Sequence, residues 1–292
     1  AGWLPEALIG VDVEVLLDAH EHDRARAARD QMLRNEPVEP MEMRIRTATG
    51  EDRWMLVRAE PLRGAGGAIS GVVLGLRDCH AEVMARRAAD TLSAGNAALV
   101  RATDEDELLQ RMCATAVDHG RYRYAWYVRR VADPERTVQL VAEAGDRGGL
   151  LPEEGVRWRD GDERAHGPTG TALRTGRPAN IDDLPVAKAA SVWNDLRNRA
   201  GFRSALSLPV FVNGELDGAL TVYSGEPGAF DAPATAVLSD LADQLGTGLA
   251  RLRATGALQR ALDHHGLLQA AIDQSAEAIV ITDRDAAIIY AN

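Results

Sequence analysis

Seven histidines and two cysteines have the widest chemical reach in this chain, and their spacing decides what they can do. His20-Glu-His-Asp23 brings together residue types that ligate metals. Residues two apart on a helix point about 200° apart, however, so a helix start here does not make the closed tetrahedral set of a structural metal site. Cys79-His80 is an isolated pair and Cys113 stands alone. Two separated cysteines build neither a disulfide framework nor a four-ligand zinc site, and they match a reducing compartment. His119 ends a predicted helix, where a cation is favoured; His166 falls in a loop, and His264 and His265 are adjacent. No nucleophile, base and orienting group stand at an interpretable spacing, so no catalysis is expected within these residues. The remaining candidates are aromatic: Tyr124, Trp126, Tyr127, Trp193, Phe202 and Tyr223, in a chain with only 4% aromatics. Strand alternation sends Tyr124 and Trp126 to one face and Tyr127 to the other. A pocket-lining role therefore applies to one subset, and the rest are core.

Composition bounds the partners. The 292 residues suffice for two ordinary domains, and 46% hydrophobic content with 26% charge is globular. A formal net charge of -11 opposes nucleic acid and anionic lipid, which need clustered Lys and Arg. Apolar runs such as Gly71 to Leu76 are far short of the roughly 18 residues of a membrane span. The expectation is a soluble, cytoplasmic segment without direct membrane contact.

The elements that must position these residues are legible in outline. Met41 to Thr47 alternates strictly, with Met41, Met43 and Ile45 on one face, as a half-buried strand does. Arg53 to Glu60 and Ile69 to Arg77 supply two more strands around the flexible Gly64 to Gly67 loop, after a helix near residues 22 to 34. That glycine run lacks the Lys and the strand-to-helix setting of a phosphate loop and reads as a hairpin. Helices follow over Ala81 to Asn96 and Asp104 to His119, the latter with Thr103 as its expected N-cap. Pro168 opens a short helix that Gly176 ends. Val210 to Tyr223 reads as two strands joined at Asn213-Gly214, a strong hairpin signal. From Pro233 a long helix carries Leu238, Leu241, Leu245 and Leu252 at spacings of three, four and seven. Two readings stand for those leucines: a coiled-coil seam, or an amphipathic face packed on the adjoining sheet. Gly246, Gly248, Gly256 and Gly266 each cost about 1 kcal/mol against Ala in a helix interior, so the rod is expected to be weak at those points.

The stretch Gly167-Pro-Thr-Gly-Thr-Ala-Leu-Arg-Thr-Gly-Arg-Pro178, then Asn180-Ile-Asp-Asp183, Gly201-Phe-Arg-Ser-Ala-Leu-Ser-Leu-Pro-Val210 and Gly218-Ala-Leu-Thr-Val-Tyr-Ser224 closely resembles a GAF domain, a small-molecule sensing module. Gly2 to Gly10, His20-Glu-His-Asp-Arg24, Gly50-Glu-Asp-Arg-Trp54 and Arg77-Asp78 resemble the second half of a PAS domain, although Cys79-His80 replaces the more usual Ile-Thr. Gln274 to Asp283 and Ala287 to Asn292 look like the opening hairpin of another PAS domain. The implied fold class is α+β: a GAF domain, an antiparallel sheet flanked by helices, between partial PAS-like antiparallel segments joined by long helices. The implied boundaries are residues 1–78 for the first PAS part, 79–97 for a linker helix, 98–252 for GAF, 253–273 for a signalling helix and 274–292 for the first strands of the next PAS domain. The C-terminal hairpin is expected to complete the open N-terminal sheet, in the same chain or in a neighbour; an excerpt with frayed ends is the alternative.

The resemblance implies a sensory segment that binds a small molecule or partner domain and relays the change through its helices, because only differential affinity shifts an equilibrium. Implied GAF-pocket residues are Tyr124, Trp126, Asp182, Trp193, Arg197, Phe202 and Thr221; implied PAS-pocket residues are Trp54 and Leu56. The ligand is unidentified. Haem, through His119 or His166, is the cofactor considered, and the Cys79-His80 pair lies at a PAS exit rather than in a bilin pocket. The cyclic-nucleotide motif Asn-Lys-x-Phe-Asp-Glu is absent. The overall pattern is most similar to the sensory regions of cyclic-di-GMP synthases and phosphodiesterases, whose Gly-Gly-Asp-Glu-Phe motif is not in this sequence, where the tripeptide Glu6-Ala7-Leu8 falls within the PAS-like Gly2 to Gly10 run. A homodimer through the helical linkers is expected. A histidine-kinase input region and a ligand-free dimerisation scaffold are the alternatives.

Overall fold

The computed structural model describes residues 2–17, 21–50, 52–147, 156–182, 200–273, 279–285 and 287–291. It divides into two compact units, residues 1–87 and 88–292.

In the first unit, α1 (Pro5–Leu8) and a 3-10 turn (Val13–Leu16) lead to α2 (His22–Leu33), β1 (Met41–Arg46), β2 (Asp52–Arg63) and β3 (Ile69–Asp78). The strands form an antiparallel sheet in the order β1-β2-β3. Register sets Met43 opposite Met55 and Met41 opposite Val57, so the apolar residues of both strands share one face. Met43, Met55, Ile45 and Val57 form a small core with Leu17, to which α2 adds buried Ala28 and Met32.

The second unit holds most of α3 (His80–Arg101), then α4 (Glu105–Asp118), β4 (Tyr124–Arg130), β5 (Val138–Gly145), α5 (Pro168–Thr175), β6 (Ala179–Ile181), β7 (Ser204–Val212), β8 (Glu215–Ser224) and α6 (Ala232–Asp273). Its sheet runs β5-β4-β8-β7-β6, antiparallel throughout. The β7-β8 hairpin turns at Asn213 and Gly214, whose φ values of 53° and 83° are the positive pair that a tight twisted hairpin needs. One face of the sheet packs on α4, α6 and the end of α3; the other packs on α5 and the segment before it.

Local chemistry explains the helix ends. α5 starts on Pro168 and stops at Gly176, whose φ of 64° lets its N–H reach the Ala172 carbonyl. The α4 cap is Asp104 rather than Thr103: its carboxylate accepts the Glu107 N–H at 2.8 Å, while Glu107 Oε2 accepts from the Thr103 N–H and hydroxyl at 2.9 and 3.1 Å. The bonding resembles a capping box, with Glu107 reaching back to the residue before the cap rather than to the N–H of Asp104 itself.

The leucines of α6 are settled by burial. Leu238, Leu241 and Leu245, with Leu249 beside them, are at most 1% exposed, and Leu252 is half-buried, all packed against the core on the β-sheet of their own unit. Burying each contributes about 1.5–3 kcal/mol, which removes them from a coiled-coil seam. Gly246 and Gly248 are likewise packing residues rather than weak points: a Cβ at Gly246 would sit 2.2 Å from the Phe211 carbonyl oxygen, and one at Gly248 2.4 Å from a Leu99 methyl. Gly256 and Gly266 face open space. At the far end, β9 (Val280–Thr282) and β10 (Ile288–Ala291) pair as a two-stranded sheet of their own. No helix among the described residues is long and apolar enough to cross a membrane.

Candidate functional site

The α5 face of the five-stranded sheet gathers Tyr124, Trp126, Phe202 and Tyr223. Period-two alternation along β4 aims Tyr124, Trp126 and Val128 at this face, and register places Tyr223 opposite Tyr124 and Thr221 opposite Trp126. Ser207 lies opposite Thr221 on the other side. Phe202, just before β7, stacks on Tyr223 with centroids 4.9 Å apart and on Tyr124 at 5.9 Å. Trp126 meets Tyr223 edge-on at 6.0 Å. These offset and edge contacts are the arrangements that ring quadrupoles favour.

Within this apolar wall runs a line of buried hydroxyls. Thr221 Oγ1 lies 2.9 Å from Thr169 Oγ1 and 2.8 Å from Ser207 Oγ, and the Tyr223 phenol is hydrogen-bonded to Thr169. Behind Thr169, α5 presses closely on the preceding segment. At Gly170 a Cβ would stand 2.3 Å from the Arg157 carbonyl oxygen, so only glycine allows that approach. Burial pushes the Tyr223 phenol up. Burial, and then the hydrogen bond to Glu143 at 2.5 Å, push the Tyr124 phenol up. Both phenols are neutral at ordinary pH, and Tyr124 donates to Glu143. Trp126 Nε1 is buried with no hydrogen-bond partner among the described residues, an arrangement that leaves one donor for an incoming acceptor. Thr221→Val should destabilise the domain by about 1–3 kcal/mol, because it strips partners from Thr169 and Ser207 together; chemical denaturation would measure it, and an unchanged midpoint would show that the hydroxyl line is not structural.

Four of the seven GAF-pocket residues expected from the sequence, Tyr124, Trp126, Phe202 and Thr221, meet here. Asp182 does not: it is exposed beyond β6, its carboxylate accepting from Asn180 at 2.8 Å and its carbonyl from the Gly228 N–H at 2.6 Å. Trp193 and Arg197 lie outside the described residues, as does Asp183. Thr169, Ser207 and Glu143 also belong to the site, on bonds that run between elements. Thr169 was visible inside the Gly-Pro-Thr-Gly run, but nothing in one strand's alternation reveals which hydroxyls another strand or helix will oppose.

In the first unit, Trp54 and Leu56 fall on the other face of β2 from Met55 and Val57. Trp54 is covered by Arg87, 4.7 Å from its ring centroid, and the apolar cavity of this unit is lined instead by Val57 and its face-mates.

The helix face of the second unit carries a charge network that ends on α6. Tyr127, next to Trp126 but pointing the opposite way, donates its hydroxyl to Asp217 at 2.5 Å. Arg253 donates to Asp217 at 2.7 Å and to both oxygens of Glu105 at 3.1 and 2.9 Å. Arg129 also bonds to both carboxylates, at 3.2 and 3.0 Å. Two guanidiniums thus meet two carboxylates. Burial alone pushes the Asp217 carboxyl up, but the Arg253 and Tyr127 hydrogen bonds and the nearby guanidiniums overcome it and hold the group below the usual carboxylate range. Beyond Arg253 the helix is exposed, with Leu258 at 61% and Leu262 at 58%.

His119 and His166 do not enter the aromatic face. His119 and His166 are exposed, so neither described side chain fits a haem ligand buried among those rings. No cluster of His, Cys, Asp and Glu suited to a metal occurs among the described residues. Cys113 is buried in the helix-side core and its thiol is pushed up by burial; Cys79 is also buried and pushed up, chiefly by burial.

The GAF domain family matches residues 102–250, and the PAS fold matches residues 1–79. No curated protein matches. Among solved structures, the chain is similar to a free methionine-R-sulfoxide reductase from Neisseria meningitidis in complex with its substrate, at 17% identity over 59% of this chain and 93% of that one, TM-score 0.47. It is also similar to a bacteriophytochrome from the photosynthetic bacterium R. palustris, at 14% identity over 94% and 59%, TM-score 0.48. A third is the GAF domain of an Acinetobacter phosphoenolpyruvate-protein phosphotransferase, at 20% identity over 58% and 97%, TM-score 0.43. With its antiparallel sheet, its covering α5 and the family match over half its length, the chain belongs to the GAF domain family, carries a PAS fold ahead of that domain, and has a sensory, regulatory role.

Proposed function

We propose that the GAF domain binds a small molecule against its aromatic face and relays that event to α6, which passes it to an output domain. The observation that carries this reading is the alternation along β4. Trp126 looks into the aromatic face with an unpartnered N–H, while Tyr127, the next residue, is bonded to Asp217 and through it to Arg253 of α6. A ligand that favours one seating of β4 over another changes the network holding α6, and only that difference in affinity moves the equilibrium.

The resemblance of the Gly167 to Pro178 run to GAF domains of cyclic-di-GMP synthases and phosphodiesterases supports an output of that class, acting in the cytoplasm. Leu258 and Leu262, four residues apart and exposed on the same helix face, support a homodimer through α6. A ligand-free scaffold is the competing reading, favoured by how fully the described rings fill one another's space.

Native mass spectrometry with an absorption spectrum of the purified chain, followed by amide hydrogen exchange, tests the reading. A retained small-molecule mass is expected, together with altered exchange across residues 254–266 in Trp126→Leu. The exposed-site variant Asp182→Ala should leave that exchange as it was. If Trp126→Leu folds but α6 exchanges as in the parent chain, the relay is absent.

A further inference from the structure

In the second unit only residues 102–104 join α3 to α4, so the two helices run in opposite senses along an open groove of about 600 Å³. Ligand pockets of that size are concave and lined largely by apolar and aromatic side chains. This groove lies open to solvent and none of its lining residues is aromatic; its floor carries Ala94, Ala97 and Ala98 of α3 and Ala114 of α4. Its charges are sorted by sign. Arg101 and Arg111 stand at the end where the helices join, and Asp90 and Asp118, with His119 beside it, at the other. Arg111 is paired with Glu107 at 2.7 Å. Asp90, Arg101 and Asp118 are exposed and enter no ion pair among the described residues.

Spacing along α3 makes this surface its own complement. Asp90, Ala94, Ala97 and Arg101 follow steps of four, three and four, which keeps them on one helix face. Asp90 and Arg101 are equidistant from the point between Gly95 and Asn96, and so are Ala94 and Ala97. A two-fold axis through that point sets Asp90 of one copy against Arg101 of the other, twice, with alanine meeting alanine between them. Such an isologous contact closes at two subunits. A formal net charge of -11 makes two copies repel at long range, so association needs a place where opposite signs meet. We infer that the groove between α3 and α4 is a docking surface for the same two helices of a second copy, with the α3 helices antiparallel across a two-fold axis. Alanine lets the helices approach at the near end of the usual interaxial distance of about 8–10 Å. Val100, seven residues on from Ser93 of the groove and 79% exposed, is then covered at the rim. The inference shares with the homodimer reading only the association of two copies; its contacts are separate from the α6 leucines and from the aromatic face.

Sedimentation velocity over a dilution series of the full chain and of two charge variants tests it. The parent chain should dimerise. Raising the salt from about 0.1 M to about 1 M shortens the screening length from about 10 Å to about 3 Å and should weaken that dimer at least about threefold. Asp90→Arg and Arg101→Asp each bring like charges together twice, so each alone should raise the dissociation constant by about tenfold or more, with a melting temperature close to the parent's. Mixed in equal amounts, the two variants should associate with nearly the parent's affinity, because each then meets the opposite sign at both ends. A monomeric parent, a dimer indifferent to salt, charge variants that associate as the parent does, or a mixture no tighter than either variant alone would each overturn the inference. Leu258→Glu separates it from the α6 reading. A dimer lost there but unchanged in both charge variants belongs to α6; a dimer kept there but weakened by the charge variants belongs to the groove. The salt series uses the unaltered chain, so a variant that failed to fold would not remove the test.

Discussion

Gly246→Ala is expected to destabilise the GAF domain by about 3 kcal/mol, at the upper end of ordinary overpacking. The new Cβ would lie 2.2 Å from the Phe211 carbonyl oxygen. That neighbour is backbone in β7, bonded into the sheet, so it cannot swing aside as the tip of a side chain would. Either α6 moves off the sheet, or the β7-β8 hairpin bends; both pull Leu241, Leu245 and Leu249 out of the core that they share. Gly256→Ala supplies the contrast. Nothing lies within 4 Å of that position, so alanine should strengthen the exposed helix by its propensity alone, about 1 kcal/mol. Chemical denaturation reads the first change, and slower amide exchange near residue 256 reads the second. Similar effects of the two substitutions would mean that α6 does not seat on β7 as described.

Arg253→Met is expected to cost about 2–3 kcal/mol at neutral pH. Removing one member of a fully buried ion pair costs about 3–5 kcal/mol; the value is discounted because the Arg253 and Glu105 side chains are 33% and 32% exposed, although Asp217 is only 11% exposed. Methionine keeps much of the stem's apolar contact, so the loss reports on charge. The pH dependence follows from Asp217, whose folded pKa lies below its unfolded value. Such a group contributes stability that is full above the ordinary carboxylate range and is lost as pH falls through the lowered folded value. The difference between parent and variant should therefore be largest at neutral pH and shrink on acidification through and below that range, as the carboxylates take up protons and no longer need the guanidinium. A difference that stayed constant down to acid pH would show that packing, not the ion network, carries the effect. The same variant should loosen α6 beyond Arg253, because Arg253 ties the helix to α4 through Glu105 and to β8 through Asp217.

The sequence by itself determined the elements whose causes are local. Alternation in Met41 to Arg46, the Asn213-Gly214 turn, the Pro168 start and the Gly176 stop each act within a few residues, so the strands, the hairpin and α5 appear where their residues require. The opposite faces of Tyr124 and Tyr127 were legible for the same reason, since a strand's period does not depend on its neighbours. Tertiary structure decided whatever depends on what lies across from a residue. The same leucine spacing in α6 suits a dimer seam or a sheet, and only the presence of β7 chose between them. Gly246 and Gly256 look alike in a helix, yet one touches a backbone carbonyl and the other faces open space. On β2, periodicity separates Trp54 and Leu56 from Met55 and Val57 but does not say which pair faces a cavity; the register with β1 and the position of α2 say that. Thr169, Thr221 and Ser207 come from a helix and two strands, and become one hydrogen-bonded line only where α5 packs on the sheet. Local patterns fix the direction of a side chain relative to its own element, whereas burial, charge pairing and cavity shape arise between elements, where a single sequence carries no periodicity to read.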